Sequence, residues 1–162
     1  MFKVSFKNDF RKVETFNDRA TVVTLTGIMS VPKNVWWVIP QSITDFLWTH
    51  ESIDVTWQDN EHFRLEFSGK SVCSKDDTFD PVIGARIAEC RAKIKLYKFL
   101  HTLCKKLMYF YYGILYGVPK EKTEMPLTAH TFYPGGLQNT IAKYASLWIK
   151  ESQHLGKLLE KT

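Results

Sequence analysis

The stretch "CSKDDTFDPVIGARIAECRAK", residues 73–93, decides the fold, because the spacing of apolar residues changes period inside it. Upstream, "HFRLEFSGKSVC" (62–73) sets Phe63, Leu65 and Phe67 on one face and Arg64 and Glu66 on the other. That alternation is the pattern of a half-buried strand. Downstream, Asp80 stands where a helix cap belongs, and Pro81 follows at the first helical position, where a missing N–H costs nothing. Ile83, Ile87, Ile94, Tyr97, His101, Cys104, Met108 and Leu115 then recur along one helical stripe.

Working outward from this juncture, the N-terminal side reads as further strands: "FKVSF" (2–6), "ATVVTLTGIM" (20–29), "NVWWVI" (34–39) and "SIDVTW" (52–57). "TWQDNEHF" (56–63) reads as a hairpin, with Asp59 and Asn60 supplying the turn chemistry. Within "IPQSITDFLWTH" (39–50), the spacing of Ile43, Phe46 and Leu47 predicts a single helical turn.

On the C-terminal side, a helix unbroken to Tyr116 would be roughly 55 Å long at 1.5 Å per residue, more than a domain of this size is wide. The expectation is that it bends, breaks near Gly113, or projects into another subunit. A polar, Pro-bounded segment (117–126) leads to a turn at Pro134-Gly135-Gly136. A last helix has Ile141, Ala145, Trp148, Ser152, Leu155 and Leu159 on one face. The expected architecture is a single α+β domain spanning 1–162. Residues 1–75 are mainly β, 80–117 a long helix, 118–136 a loop and 137–160 a C-terminal helix, with the antiparallel sheet packed on the long helix.

A chain of 162 residues with 44% hydrophobic and 24% charged residues can bury one core, which excludes wholesale disorder. Three cysteines, Cys73, Cys90 and Cys104, make no disulfide framework and suit a reducing cytoplasm. The N-terminus lacks a signal-peptide core, and no apolar run reaches the ~18 residues of a membrane span. Even "LMYFYYGILYGV" (107–118) is too short, and it reads as buried helix or a subunit contact, so a homo-oligomer is expected.

Net charge is +5, which favours anionic partners. From Asp80 to Gly117 there are seven Lys or Arg residues against two acids. Arg91, Lys95 and Lys98 fall at i, i+4 and i+7 and share a face, with Arg86 and Lys93 in a second row. Tyr97, Tyr109, Tyr111 and Tyr112 are interleaved, a composition that can cradle phosphate while stacking a base. Arg86, Arg91, Lys95, Lys98 and Tyr97 are therefore the candidate ligand-binding residues. An ordinary solvated face with tyrosines packed inward is the competing reading.

Catalytic and metal signatures are not found. Asp76, Asp77 and Asp80 are accounted for by capping, and an oxygen-rich cation site there would need ligands from elsewhere. His101 and Cys104 lie one helical turn apart, too few for a metal, and Cys73 and Cys90 stand in no zinc spacing. His50, His62, His130 and His154 are scattered, and neither G-x-S-x-G nor H-E-x-x-H occurs. The expectation is a protein with no metal and no cofactor that is not an enzyme.

The juncture resembles a motif of small phage proteins in which a closing strand precedes D-x-F-(D)-x3-G-x2-[IL]-A-x2-R-A at the start of a helix. The matching residues are Asp77, Phe79, Asp80, Gly84, Ile87, Ala88, Arg91 and Ala92. The order of strands then helices is also similar to the Thoeris anti-defence proteins of phages, oligomers that sequester a cyclic ADP-ribose-type signal with aromatic and arginine residues. The resemblance implies a binding protein of the host-cell cytoplasm that acts by occupancy on a nucleotide-like ligand. A nucleic-acid binder and a protein-directed inhibitor of a host defence system are the alternatives. In physical terms, Phe79 would staple the approach to the helix, Gly84 and Ala88 would let the sheet pack close, and Arg91 would reach back to Asp77 or Asp80 or offer its fork to a phosphate.

Overall fold

A computed structural model describes residues 4–30, 43, 45–46, 53–57, 62–116 and 135–161, and gives the backbone alone for 53–57, 111–116, 135 and 136. Four strands, β1 (Ser5–Phe16), β2 (Ala20–Ser30), β3 (Ile53–Trp57) and β4 (His62–Val72), form one antiparallel sheet in the order β1-β2-β4-β3. Two helices follow, α1 (Pro81–Tyr116) and α2 (Gly135–Glu160), so the fold is α+β with the sheet packed on the long helix. The strand expected at 34–39 and the hairpin turn at 58–61 lie outside the described residues. Ile43, Asp45 and Phe46 are helical, as the spacing around them requires.

Period two puts one face of each central strand under α1. Met29 of β2 and Phe63, Leu65 and Phe67 of β4 are buried against Leu96, Phe99, Leu100, Leu103 and Leu107 of α1, while Val23 and Leu25 of β2 are buried against Ala88 and Ala92 nearer its start. Large side chains fill the space beneath the middle of α1, whereas its first turns carry Gly84, Ala88 and Ala92 at i, i+4 and i+8. There the helix comes down onto the sheet. A Cβ on Gly69 of β4 would overlap the Ala88 carbonyl oxygen and lie 2.6 Å from the Ala92 nitrogen, and one on Gly84 would lie 2.9 Å from Thr21 Oγ1. Small residues on both partners thus hold helix backbone against strand backbone at the N-terminal end of α1.

Two expectations are corrected and one is narrowed. The first strand does not end at residue 6. β1 runs to Phe16, because beyond Phe6, which packs on the core, this edge strand is largely exposed on both faces and needs no hydrophobic alternation. Its hairpin to β2 turns at Asn17 and Asp18, both with φ near +50°, a conformation these two residue types tolerate, and Arg19 N–H donates to the Phe16 carbonyl at 3.1 Å. Secondly, of the three outcomes open to the long helix, a break near Gly113 does not occur, and α1 continues to Tyr116 as a helix over 80–117 requires.

Thirdly, a single apolar stripe presumes one buried face on each helix. α1 has two, one toward the sheet and one toward α2, so Leu96, Phe99, Leu100, Leu103 and Leu107 are more buried than Tyr97 and His101. On α2 the inward face is Leu137, Ile141, Tyr144, Leu147 and Trp148, while Ser152 and Leu159 are exposed. Gly135 and Gly136 are already helical, with buried Leu137 anchoring that first turn. α2 runs back antiparallel along α1. Tyr97 stacks on Tyr144 with ring centroids 6.2 Å apart, His101 meets the edge of Trp148 at 6.0 Å, and Leu159 returns to the start of α1. Among the described residues, no helix is long and apolar enough to cross a membrane.

Candidate ligand pocket at the strand-to-helix juncture

Residues 73–80 carry the chain from the end of β4 to the start of α1, and their polar groups bond to one another. Cys73 N–H donates to the Arg19 carbonyl at 2.7 Å, which ties the juncture to the β1–β2 turn. Ser74 Oγ donates to Asp77 Oδ2 at 2.5 Å. Asp80 Oδ1 accepts from the N–H groups of Val82 at 2.9 Å and Ile83 at 3.2 Å, and the Asp80 carbonyl accepts from Gly84 N–H at 2.9 Å. Asp80 is thus a helix cap that occupies the donors an anion would otherwise use at this helix start.

Above this loop lies a cavity of about 430 Å³, within the size range of small-ligand sites. Phe79, Ile83, Ile87 and Leu159 give it apolar walls. Ser71, Ser74, Thr78, Asp77 and Asp80 add polar groups, and Arg91 and Lys161 bring two positive charges. Behind Gly84, Thr21 Oγ1 is buried with no hydrogen-bond partner among the described residues. It stands beside two residues of the cavity wall, Gly84 and Ser71.

The partner expected for Arg91 is corrected. Its Nη1 donates to the Lys70 carbonyl at 2.6 Å, not to Asp77 or Asp80. Lys95 Nζ does the same to the Ser68 carbonyl, also at 2.6 Å. Among the described residues β3 pairs with β4 only as far as Phe67, so the two side chains supply donors along the part of β4 beyond it. One guanidinium nitrogen is committed to this task, which leaves the other N–H donors of Arg91 for the cavity.

The remaining candidate residues do not gather at this place. Lys98 Nζ lies 4.9 Å from the centroid of the Trp148 ring, a cation–π contact to α2. Tyr97 is half-buried against Tyr144, and burial raises both phenols, that of Tyr144 to about 12. Arg86 lines a different, smaller cavity with Glu89, Cys90, Lys93 and His154. The regular i, i+4, i+7 spacing is real, but each cation is drawn to the nearest carbonyl, ring or carboxylate. Sequence reading missed Lys161 and Leu159 of the pocket, because only the antiparallel return of α2 brings residues so distant in sequence to the juncture.

Around the smaller cavity, charged groups link β1, α1 and α2. Arg11 of β1 reaches Glu89 through Nε at 3.0 Å and Nη2 at 2.8 Å, and Lys93 reaches the same carboxylate at 3.1 Å. Burial alone would raise Glu89, but the hydrogen bonds from Lys93 and Arg11 outweigh it and hold the carboxyl below its ordinary range. Cys90 Sγ lies 3.5 Å from His154 Nδ1, which lies 3.7 Å from Glu151 Oε2. Burial, and then the Glu151 charge, push the Cys90 thiol up to about 11. Cys104, deep in the core, is pushed up to about 12 by burial. Comparison of the chain with family models, with curated proteins and with solved structures finds no match in any of the three.

Proposed function

We propose that this protein is a non-catalytic binding protein that holds a small anionic, nucleotide-like ligand in the juncture pocket and acts by occupying it. The observation that carries this reading is the cavity of about 430 Å³ lined by Arg91 and Lys161 together with apolar side chains. The two cations suit a phosphate. Asp77 and the nearby hydroxyls suit the donors of a sugar or an amino group, and Phe79, Ile83 and Ile87 suit the face of a ring. The pocket's balance of two positive and two acidic side chains favours such a ligand, charged at one end and hydrogen-bond donating at the other, over a plain anion. In keeping with the phage-protein resemblance, its setting would be the cytoplasm of a host cell and its ligand a signal to be withdrawn.

Thermal melts of the full chain against a panel of nucleoside mono- and diphosphates, cyclic nucleotides and inorganic phosphate test this. A ligand at a hundred times its Kd stabilises by about 2.7 kcal/mol, a clear rise in Tm. Lys161→Glu, at an exposed position, should leave the unliganded melt unchanged and weaken binding at least tenfold. Failure of every member of the panel to stabilise the parent protein would overturn the reading. Capture of DNA or RNA that collapses with rising salt would replace it with the nucleic-acid alternative, since counterion release makes such binding far more salt-dependent than a desolvated pocket.

A further inference from the structure

We propose that Cys90 of α1 and Glu151 and His154 of α2 form a zinc-class metal site that clamps the second helix onto the first. The three side chains are brought together from positions up to 64 residues apart. Their ligand atoms, one sulfur, one oxygen and one imidazole nitrogen, all lie within 4.8 Å of one another. Bond lengths of about 2.3 Å for sulfur and about 2.0–2.2 Å for nitrogen and oxygen put tetrahedral ligands roughly 3.4–3.6 Å apart. The observed separation of 3.5 Å for Cys90 to His154 matches such an edge, and the 3.7 Å from His154 to Glu151 is within about 0.3 Å of one, a side-chain adjustment away.

A second observation points to a cation. Glu151 Oε2 is buried and takes no hydrogen bond from an N–H or O–H group among the described residues; the donor beside Glu151 is the weak S–H of Cys90, which a metal would displace. His154 Nδ1, at 3.7 Å, is too far to donate to it. A carboxylate oxygen taken out of water without a strong donor is costly, and a metal ion between the three groups removes that cost. The ammonium of Lys93 lies 3.9 Å from the other oxygen, Oε1, and is bound to Glu89 at 3.1 Å, so Oε2 is left for the metal. The adjoining cavity of about 210 Å³ gives the fourth position room for a water. A mixed sulfur, nitrogen and oxygen set of this kind suits zinc better than the hard, oxygen-seeking calcium or magnesium.

The clamp falls where packing is thinnest. After Ile149, only Glu151, Leu155 and Leu158 of α2 are even half-buried, and this is the segment that delivers Leu159 and Lys161 to the juncture.

The test uses the full chain stripped with a chelator and titrated with Co(II), then with Zn(II). The expected result is one metal per chain, a thiolate-to-cobalt charge-transfer band with the intense visible bands of tetrahedral cobalt, and loss of both on adding zinc. Cys90→Ser should abolish the charge-transfer band. His154→Gln, at an exposed side chain and so compatible with folding, should weaken binding at least about tenfold and remove the rise in Tm that zinc gives the parent. No thiolate band in the parent, or a band and affinity unchanged in His154→Gln, would overturn the proposal. The second variant decides the matter even if Cys90→Ser does not fold.

Discussion

The close approach of α1 to the sheet makes opposite predictions for one substitution at two glycines. In Gly69→Ala the new Cβ would overlap the Ala88 carbonyl oxygen and come within 2.6 Å of the Ala92 nitrogen, where ordinary contact begins at 3.4 Å. Both obstacles are helix backbone, which cannot rotate away as a side-chain tip can. To clear the Ala92 nitrogen alone, α1 must lift by about 0.8 Å, and that opens the packing of Leu96 and Phe99 further along. Overpacking of this kind costs about 1–3 kcal/mol, and the backbone clash puts it at the upper end. In Gly156→Ala, by contrast, the Cβ meets nothing within 4 Å inside a helix. Removing the entropic cost of helical glycine should stabilise by up to about 1 kcal/mol. For a chain of this length, 1 kcal/mol corresponds to about 2–4 °C in Tm. Gly69→Ala should therefore melt roughly 6–12 °C lower, and Gly156→Ala a few degrees higher, with urea midpoints moving in the same directions. A Gly69→Ala protein within 0.5 kcal/mol of the parent would refute the argument, because the helix would then not rest on that strand.

Asp80→Ala removes the cap on Val82 and Ile83 and should cost about 1 kcal/mol in denaturant unfolding, whereas Asp80→Asn, which keeps the accepting oxygen, should cost only a fraction of that. Arg91→Ala should lower stability by about 1–2 kcal/mol through loss of its bond to the Lys70 carbonyl, and Asp77→Ala should not reproduce the effect, since Asp77 is not its partner. His101 carries a pH dependence. Its pKa is held below 6.5 by burial and then by Lys105, so the unfolded chain takes up the proton more readily. Its contribution to stability is complete above the unfolded value and is lost as pH falls through the folded one. His101→Phe keeps the edge contact with Trp148 and should flatten that part of the stability–pH profile measured by urea unfolding between pH 7 and 5.

The two central strands were legible because their buried faces alternate, and both helices because apolar residues recur at helical spacing, although a single stripe did not resolve the two buried faces of α1. Phe63, Leu65 and Phe67 announce a strand under a helix, and the change at Asp80-Pro81 marks where the helix starts. β1 was not legible past Ser5 and Phe6, because an exposed edge strand has no inward face to select alternating residues. The turn at Asn17-Asp18 was its one local signal. The small-residue approach was half visible: Gly84 and Ala88 sit in the quoted stretch, but their counterpart Gly69 gains its meaning only from the register that sets it under Ala88. Among site residues, the spacing of Arg91, Lys95 and Lys98 located a helix face but not the partner of each cation. That choice depends on how far β3 extends along β4 and on where Trp148 lands. Lys161, Glu151 and His154 are brought into place by the return of α2, and nothing near them in sequence signals the residues they meet.

The most direct test of the central claim, that the juncture pocket is the binding site, is a heteronuclear NMR titration of the full chain with the most stabilising member of the nucleotide panel. The expected result is saturable shifts confined to residues 71–74, 77–80 and 83–84, to the Arg91 side chain and to Lys161, with Lys98 and Tyr97 unmoved. Shifts centred on Lys95, Lys98 and Tyr97 that leave residues 77–80 unchanged would contradict it and move the site to the helix face.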